Sequence, residues 1–246
     1  MSERDGSPWW TEAFRRPYLE CYAHRDDASA EREAAFLAPH LGVTPGLRLL
    51  DAGCGAGRHA RAFASRGALV VGVDRSADLL REAVQRGGRP RYVMADVRSL
   101  PLRDGVFDAV VSLFTSFGYF DAAGDRAHMA QLRRVMRRGG RFALDFLNAP
   151  RVTRLLVRHS KRAVGEMTVQ ETRTVRGKRI EKEVIVTGPG AAPVAKWYES
   201  VRLYRRDELH ELLDRAGFRA RAEFGDLAGG AWSHESERLV LVAEAV

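Results

Sequence analysis

Three things are scarce in this 246-residue chain: cysteine, long apolar runs and lysine. Only Cys21 and Cys54 occur, so neither a disulfide framework nor a cysteine-based metal site is expected, and no metal is assigned. No stretch of 18 apolar residues is present, and residues 1–6 are charged rather than apolar, which excludes a membrane-spanning helix and predicts a soluble, cytoplasmic protein. Lys161, Lys178, Lys182 and Lys196 are the only lysines, so 36 of the 40 basic residues are arginine. With abundant alanine and glycine, that bias looks like the imprint of a GC-rich genome. The net charge of +8 therefore does not by itself call for nucleic acid. Arg133, Arg134, Arg137 and Arg138 cluster at the end of a predicted helix, where cations complement the helix dipole without a phosphate partner. Arg202, Arg205 and Arg206 form a second cluster.

What the chain does have begins at residues 47–57, an apolar run ending in Asp51 and followed by Gly53, Gly55 and Gly57. The run reads as a buried parallel strand, the glycines as a tight turn with open backbone, and residues 58–66 as the next helix. A small molecule is expected at the strand's carboxyl end. Dinucleotide sites use G-x-G-x-x-G with a small sixth residue, but here the sixth position from Gly53 is Arg58. Asp51 would also repel a pyrophosphate and attract a cation.

Two further acids stand in register with Asp51. Residues 68–73 form a second apolar run ending at Asp74, and residues 92–95 a third ending at Asp96. The separations, 23 and 22 residues, each fit one strand, one helix and two short loops. Asp74 and Asp96 could also simply cap the helices that follow them. A fourth run, 107–113, leads into an aromatic loop at 114–120. Asp125 is read as capping a helix to about Arg138, with Gly139-Gly140 stopping it before a fifth strand at 141–147.

Residues 151–204 break the repeat. Segments 164–175, 179–187 and 194–204 have strand character and are separated by Arg176-Gly177 and Gly188-Pro189-Gly190. A helix at 207–216 and strands at 218–224 and 237–244 resume the core. Trp197 and Tyr198 should face opposite sides of their strand. Before the first strand, residues 8–40 read as helical. Trp10, Phe14, Tyr18 and Tyr22 are spaced by four on one face, either ordinary core or a lid that excludes water.

The glycine block, D-x-G-x-G-x-G, resembles motif I of the class I S-adenosylmethionine-dependent methyltransferases. The resemblance implies an α/β fold: a Rossmann-like, seven-stranded, mostly parallel sheet with helices on both faces, plus an inserted antiparallel sheet after strand five. The implied organisation is a helical lid at 1–40, a cofactor-binding core at 41–150, an inserted substrate subdomain at 151–204 and completion of the sheet at 205–246. S-adenosyl-L-methionine would be the cofactor and S-adenosyl-L-homocysteine the product. Its cationic amino-acid end suits Asp51, its ribose diol the two oxygens of Asp74, and its adenine amino group Asp96, with the Val97 amide on a ring nitrogen. Tyr18, Ala52, Gly53, Cys54, Gly55, Gly57, His59, Arg75, Leu113 and Phe114 complete the expected cofactor contacts. His59 would lie near the carboxylate.

Within the superfamily, the loop 113–120, the segment 198–207 and Tyr22 are similar to small-molecule N-methyltransferases acting on amino sugars. Where those enzymes carry His after strand four, this chain has Tyr119. Tyr119 and Tyr22 are the catalytic candidates, His24 and His128 lesser ones, with His128 read as solvent-facing or capping. The acceptor pocket is expected from the loop 114–120, the N-terminal aromatics and the inserted sheet, including Trp197 or Tyr198 and Glu199. The expected partner is a small-molecule acceptor, an amine, with a homodimer through the inserted sheet as a further expectation. A tRNA or rRNA methyltransferase and a non-catalytic cofactor-binding module are the alternatives. Against base methylation, residues 112–115 hold no Asn-Pro-Pro-aromatic element.

Overall fold

The computed structural model describes residues 8–22, 26–190 and 192–246. After a short 3-10 turn at Trp9–Thr11 come α1 (Arg16–Cys21) and α2 (Asp27–Leu41). An alternating series follows: β1 (Arg48–Ala52), α3 (Arg58–Ser65), β2 (Leu69–Asp74), α4 (Ala77–Gln85), β3 (Arg91–Met94), β4 (Phe107–Ser112), α5 (Ala122–Val135) and β5 (Met136–Leu147). Next are α6 (Ala149–Arg154), β6 (His159–Val164), β7 (Met167–Arg176), β8 (Arg179–Thr187) and β9 (Pro193–Arg202). The chain ends with α7 (Arg206–Arg215), β10 (Phe218–Phe224) and β11 (Arg238–Ala245).

Seven strands form one sheet in the order β10-β11-β5-β4-β1-β2-β3. All pairs are parallel except those made by β11, which runs antiparallel to both β5 and β10. The chain steps outward from β1 to β3 and returns to β4 on the other side, so the crevice for a ligand opens at the carboxyl ends of β1 and β4. One apolar layer, with Leu50, Val110, Phe142 and Leu241, packs under α5 and α7; the other, with Leu49, Val70 and Val111, packs under α2 and α3. The second sheet, β6-β7-β8-β9, is antiparallel and stands apart from the first.

Several boundaries differ from the sequence expectation. Asp121, not Asp125, caps α5, its carboxylate accepting from the Gly124 amide at 2.8 Å. Asp125 lies in the first turn, fully buried. The helix stops at Val135, and β5 begins three residues before Gly139 because Met136 pairs with Phe107 of β4. Pairing with β4 overrides the helix propensity of the arginine run. The insertion has four strands rather than three: β6, whose residues alternate in exposure and are largely polar, gave little apolar signal.

The N-terminal aromatics do not share one helix. Pro17 opens α1, and the chain reaches it through an irregular stretch at 12–15. Trp9, Ala13, Cys21 and Tyr22 nevertheless pack with Val169, Val184 and Trp197, so the first segment rests on the second sheet. Instead, α2 joins the core, with Ala30, Ala34, Leu37 and Leu41 buried.

Candidate functional site

An open cavity lies at the carboxyl ends of β1, β2 and β4, between the glycine turn and the N-terminal aromatics. Gly53, Gly55 and Gly57 all adopt left-handed φ values of +80°, +53° and +73°. The turn is tied to β2: the Gly53 and Cys54 amides donate to the Val73 carbonyl at 2.8 and 3.0 Å. A Cβ at Gly53 would stand 2.5 Å from the Ser116 Cβ, and one at Gly57 would collide with the Tyr92 hydroxyl. Both positions therefore require glycine, for fit as well as for conformation.

The three acids gather on one wall of the cavity in different states. Asp51 is 2% exposed, and its Oδ2 has no hydrogen-bond partner among the described residues. Burial pushes its pKa up to about 7, with the neighbouring Asp74 adding to the rise and Arg58 opposing it. Asp74 accepts the Gly55 amide on Oδ2 and the Ser76 amide on Oδ1, both at 2.8 Å. Burial raises its pKa, and these amides hold the rise down. Acceptor capacity remains on each oxygen. Asp96 accepts two bonds from Arg98 on Oδ1, and one each from Arg98 and Arg75 on Oδ2. Its hydrogen bonds to Arg98 hold it below the usual carboxylate range.

Among the residues singled out from sequence, Tyr18, Tyr22, Asp51, Gly53, Cys54, Gly55, His59, Asp74, Arg75, Asp96, Val97, Leu113, Phe114 and Tyr119 line this cavity. Ala52 and Gly57 do not: Ala52 is wholly buried in the sheet, and Gly57 caps α3. His59 is buried against Glu33 at 2.5 Å, and burial lowers its pKa. Lining residues that sequence reasoning left out of the site include Arg58, Arg61, Ser76 and Leu79, whereas Ser116 and Phe120 belong to the loop expected there. Ser116 bonds to the Gly53 carbonyl at 3.0 Å and Arg58 lies over the Phe114 ring at 4.7 Å, pairings that close only in three dimensions.

An aromatic wall also lines the cavity, with Trp10, Phe14, Tyr18, Tyr22, Tyr119 and Phe120. Tyr119 stacks on Phe14 at 5.6 Å and meets Trp9 edge-on at 5.0 Å. Tyr22 is 7% exposed; its hydroxyl donates to Glu171 and accepts from Lys182, both at 2.9 Å. Burial, then the charges of Glu199 and Glu171, raises its pKa far above the ordinary tyrosine value. That hydroxyl pins the segment to the second sheet and is unsuited to act as a base. No residue of the second sheet lines the cavity among the described residues; the sheet supports the aromatic wall from behind. Trp197 faces that wall, bonding Glu199 through Nε1 at 2.9 Å, whereas Tyr198 pairs with Glu183 in register and lies outside the cluster.

His128, expected at the surface, is fully buried against Phe117 and Phe120, because the loop 117–120 folds back over α5. His24 lies outside the described residues. The arginine clusters are largely spent internally. Arg133 donates to the Gly217 and Val246 carbonyls, Arg134 to those of Leu100 and Leu102, Arg137 pairs with Asp108, and Arg206 with Glu223. Among the described residues, no helix is long and apolar enough to cross a membrane.

A seven-stranded sheet with one antiparallel hairpin at its end and a glycine turn after β1 is the Rossmann-like methyltransferase fold. Residues 49–140 match the family model of the methyltransferase domain. Over 110 residues the chain is 34% identical to a demethylmenaquinone methyltransferase of Beutenbergia cavernae, a match covering 45% of either protein. It thus spans about half the length of that relative. Among solved structures, the CcbJ methyltransferase of Streptomyces caelestis superposes with a TM-score of 0.81 at 21% identity, covering 99% of this chain and 100% of that one. The sugar N-methyltransferase KedS8 of Streptoalloteichus sp. gives 0.71 at 19%, covering 99% and 98%.

Proposed function

We propose that this chain is an S-adenosylmethionine-dependent methyltransferase acting on a small-molecule amine. The observation that carries the reading is one cavity that joins three acids, at the ends of β1, β2 and β3, with a wall of aromatic rings. Asp51, buried with an oxygen lacking a partner among the described residues, suits a cationic amino-acid end. Asp74 retains acceptor capacity for two vicinal hydroxyls. Asp96 has its oxygens occupied, so an adenine amino group would displace Arg75, the more exposed of its two arginines.

The bound cofactor would supply the methyl group together with a leaving group that already carries positive charge. The protein's part is then alignment and exclusion of water, and the aromatic wall is built for both. An amine needs only to arrive deprotonated, whereas a hydroxyl acceptor needs a base. Tyr22 cannot serve, since its hydroxyl is pinned between Glu171 and Lys182. Tyr119 is the remaining candidate to touch the acceptor, as a packing and orienting ring. Resemblance of the fold to a sugar N-methyltransferase agrees with an amine.

Incubation with radiolabelled methyl donor and panels of amines, amino sugars, alcohols and RNA tests the assignment. Label is expected in the amines. Transfer to alcohols that is lost in His24→Ala would overturn the amine reading, and transfer to RNA with strongly salt-dependent binding would favour a nucleic-acid enzyme. Cofactor binding with no transfer to any panel would support a non-catalytic module.

A further inference from the structure

Phe114 and Thr115 are the only non-glycine residues with positive φ among the described residues, at +57° and +63°. Neither side chain favours that conformation, and a β-branched threonine resists it most. Two such residues in succession, at the edge of the cavity, require something to hold them.

Asp145, fully buried on β5, and Arg238, at the start of β11, do so from behind. The Phe114 amide donates to Asp145 Oδ2 at 2.8 Å, and the Thr115 amide to the Asp145 carbonyl at 3.1 Å. Arg238 donates through Nε to Asp145 Oδ1 at 2.6 Å and through Nη2 to the Thr115 hydroxyl at 2.8 Å. Asp145 thus takes both strained amides, one on its carboxylate and one on its main-chain carbonyl, and Arg238 takes the threonine side chain. Its guanidinium also lies 5.6 Å from the Phe114 ring, which Arg58 approaches at 4.7 Å. The next residue, Ser116, bonds to the Gly53 carbonyl and joins the strained turn to the glycine turn.

We propose that Asp145 and Arg238 are positioning residues: they hold the Phe114–Thr115 turn in its left-handed form, so that the cavity wall facing Asp51 and Gly53 is built before ligand arrives. A buried ion pair is weak evidence for stability by itself. Here it occupies the backbone of a strained segment, and backbone strain is retained where a site must be preorganised. The consequence for the cofactor rests on the methyltransferase reading; the lock itself does not.

Two readouts separate them. Asp145→Asn loses the charge that retains Arg238, and hydrogen exchange should accelerate at the Phe114 amide, and with the loosened turn at the Thr115 amide, while β4 stays protected. Affinity for S-adenosylhomocysteine, measured by calorimetry, should fall about tenfold. Adding Thr115→Gly removes the conformational resistance at that position and should restore most of the affinity. Because glycine at this positive φ also relieves strain in the fold, each variant's stability is measured by urea denaturation, and affinity restored beyond the change in folded fraction marks positioning rather than a merely structural loss. Arg238→Lys, which retains a charge beside Asp145 but loses the second donor to Thr115, should move both readouts the same way if Asp145→Asn folds poorly. Unchanged exchange at 114 and 115, or a double variant no better than the single one, overturns the lock. If the unaltered protein fails to bind S-adenosylhomocysteine, the functional reading falls, and exchange at the two amides still decides the lock.

Discussion

Gly53→Val is expected to reduce affinity for S-adenosylhomocysteine by about 100-fold or more, a loss of roughly 3 kcal/mol. Gly53 sits at φ +80°, where a β-branched residue is strained by of order 1–3 kcal/mol. The added Cβ would lie 2.5 Å from the Ser116 Cβ and 2.8 Å from its hydroxyl, and Ser116 bonds the Gly53 carbonyl. Nothing in that contact can yield except by moving the loop after β4 away from the turn. Gly55→Ala is the control. Its conformation is also left-handed, but a Cβ there meets nothing nearer than a Leu79 methyl at 3.7 Å, so its loss should be much smaller. Calorimetry on both variants, with circular dichroism to establish folding, separates the contact from backbone strain. Binding by folded Gly53→Val within threefold of the unaltered protein would show that this turn is not the cradle.

His128→Leu is expected to stabilise the protein increasingly as the pH falls. His128 is wholly buried, and neither ring nitrogen has a hydrogen-bond partner among the described residues. Burial holds its pKa down at about 3, against an ordinary value of 6.5. Below 6.5 the unfolded chain therefore binds a proton that the folded chain refuses. On top of a pH-independent cost of its unpaired ring nitrogens, the histidine carries a proton-linked penalty that vanishes well above pH 6.5 and grows as the pH falls toward 3. At pH 5 it amounts to about 2 kcal/mol. Two acids slope the other way: burial raises Asp125 to about 6 and Asp51 to about 7, so each favours the folded state increasingly as the pH falls from its folded value toward the ordinary carboxylate range. The difference between His128→Leu and the parent isolates the histidine. Urea denaturation at pH 7.5 and pH 5 should show the variant's advantage widening by about 2 kcal/mol. An advantage that does not change with pH would mean that His128 is not held neutral.

Much of the core was legible because its signals are local. An apolar run ending in an acid reports a strand with a polar tip at the ligand edge, and it did so at Asp51, Asp74 and Asp96, although β3, at the sheet's edge, is not buried. Turn residues likewise marked the strands β7, β8 and β9. Signals that depend on pairing were not legible. The start of β5 at Met136 follows from Phe107, and the burial of His128 from a loop that folds back over it. The pinning of the Tyr22 hydroxyl was not legible because Glu171 and Lys182 lie 149 and 160 residues away in sequence. Asp145 and Arg238, 93 residues apart, carry no motif at all. Arg58 was read only as a reason to exclude a dinucleotide, although it lines the cavity and covers Phe114.

The central claim is that the acid-lined turn receives S-adenosylmethionine, and calorimetry across pH tests it directly. Titrations with S-adenosylmethionine, S-adenosylhomocysteine and NAD should show binding of the first two, and NAD weaker than either. Because Asp51 is held near 7, binding of a cationic amino-acid end should expel its proton, and affinity should rise between pH 6 and pH 8 in the parent and stay flat in Asp51→Asn. No binding of the two sulfur ligands, or tighter binding of NAD, would contradict the account.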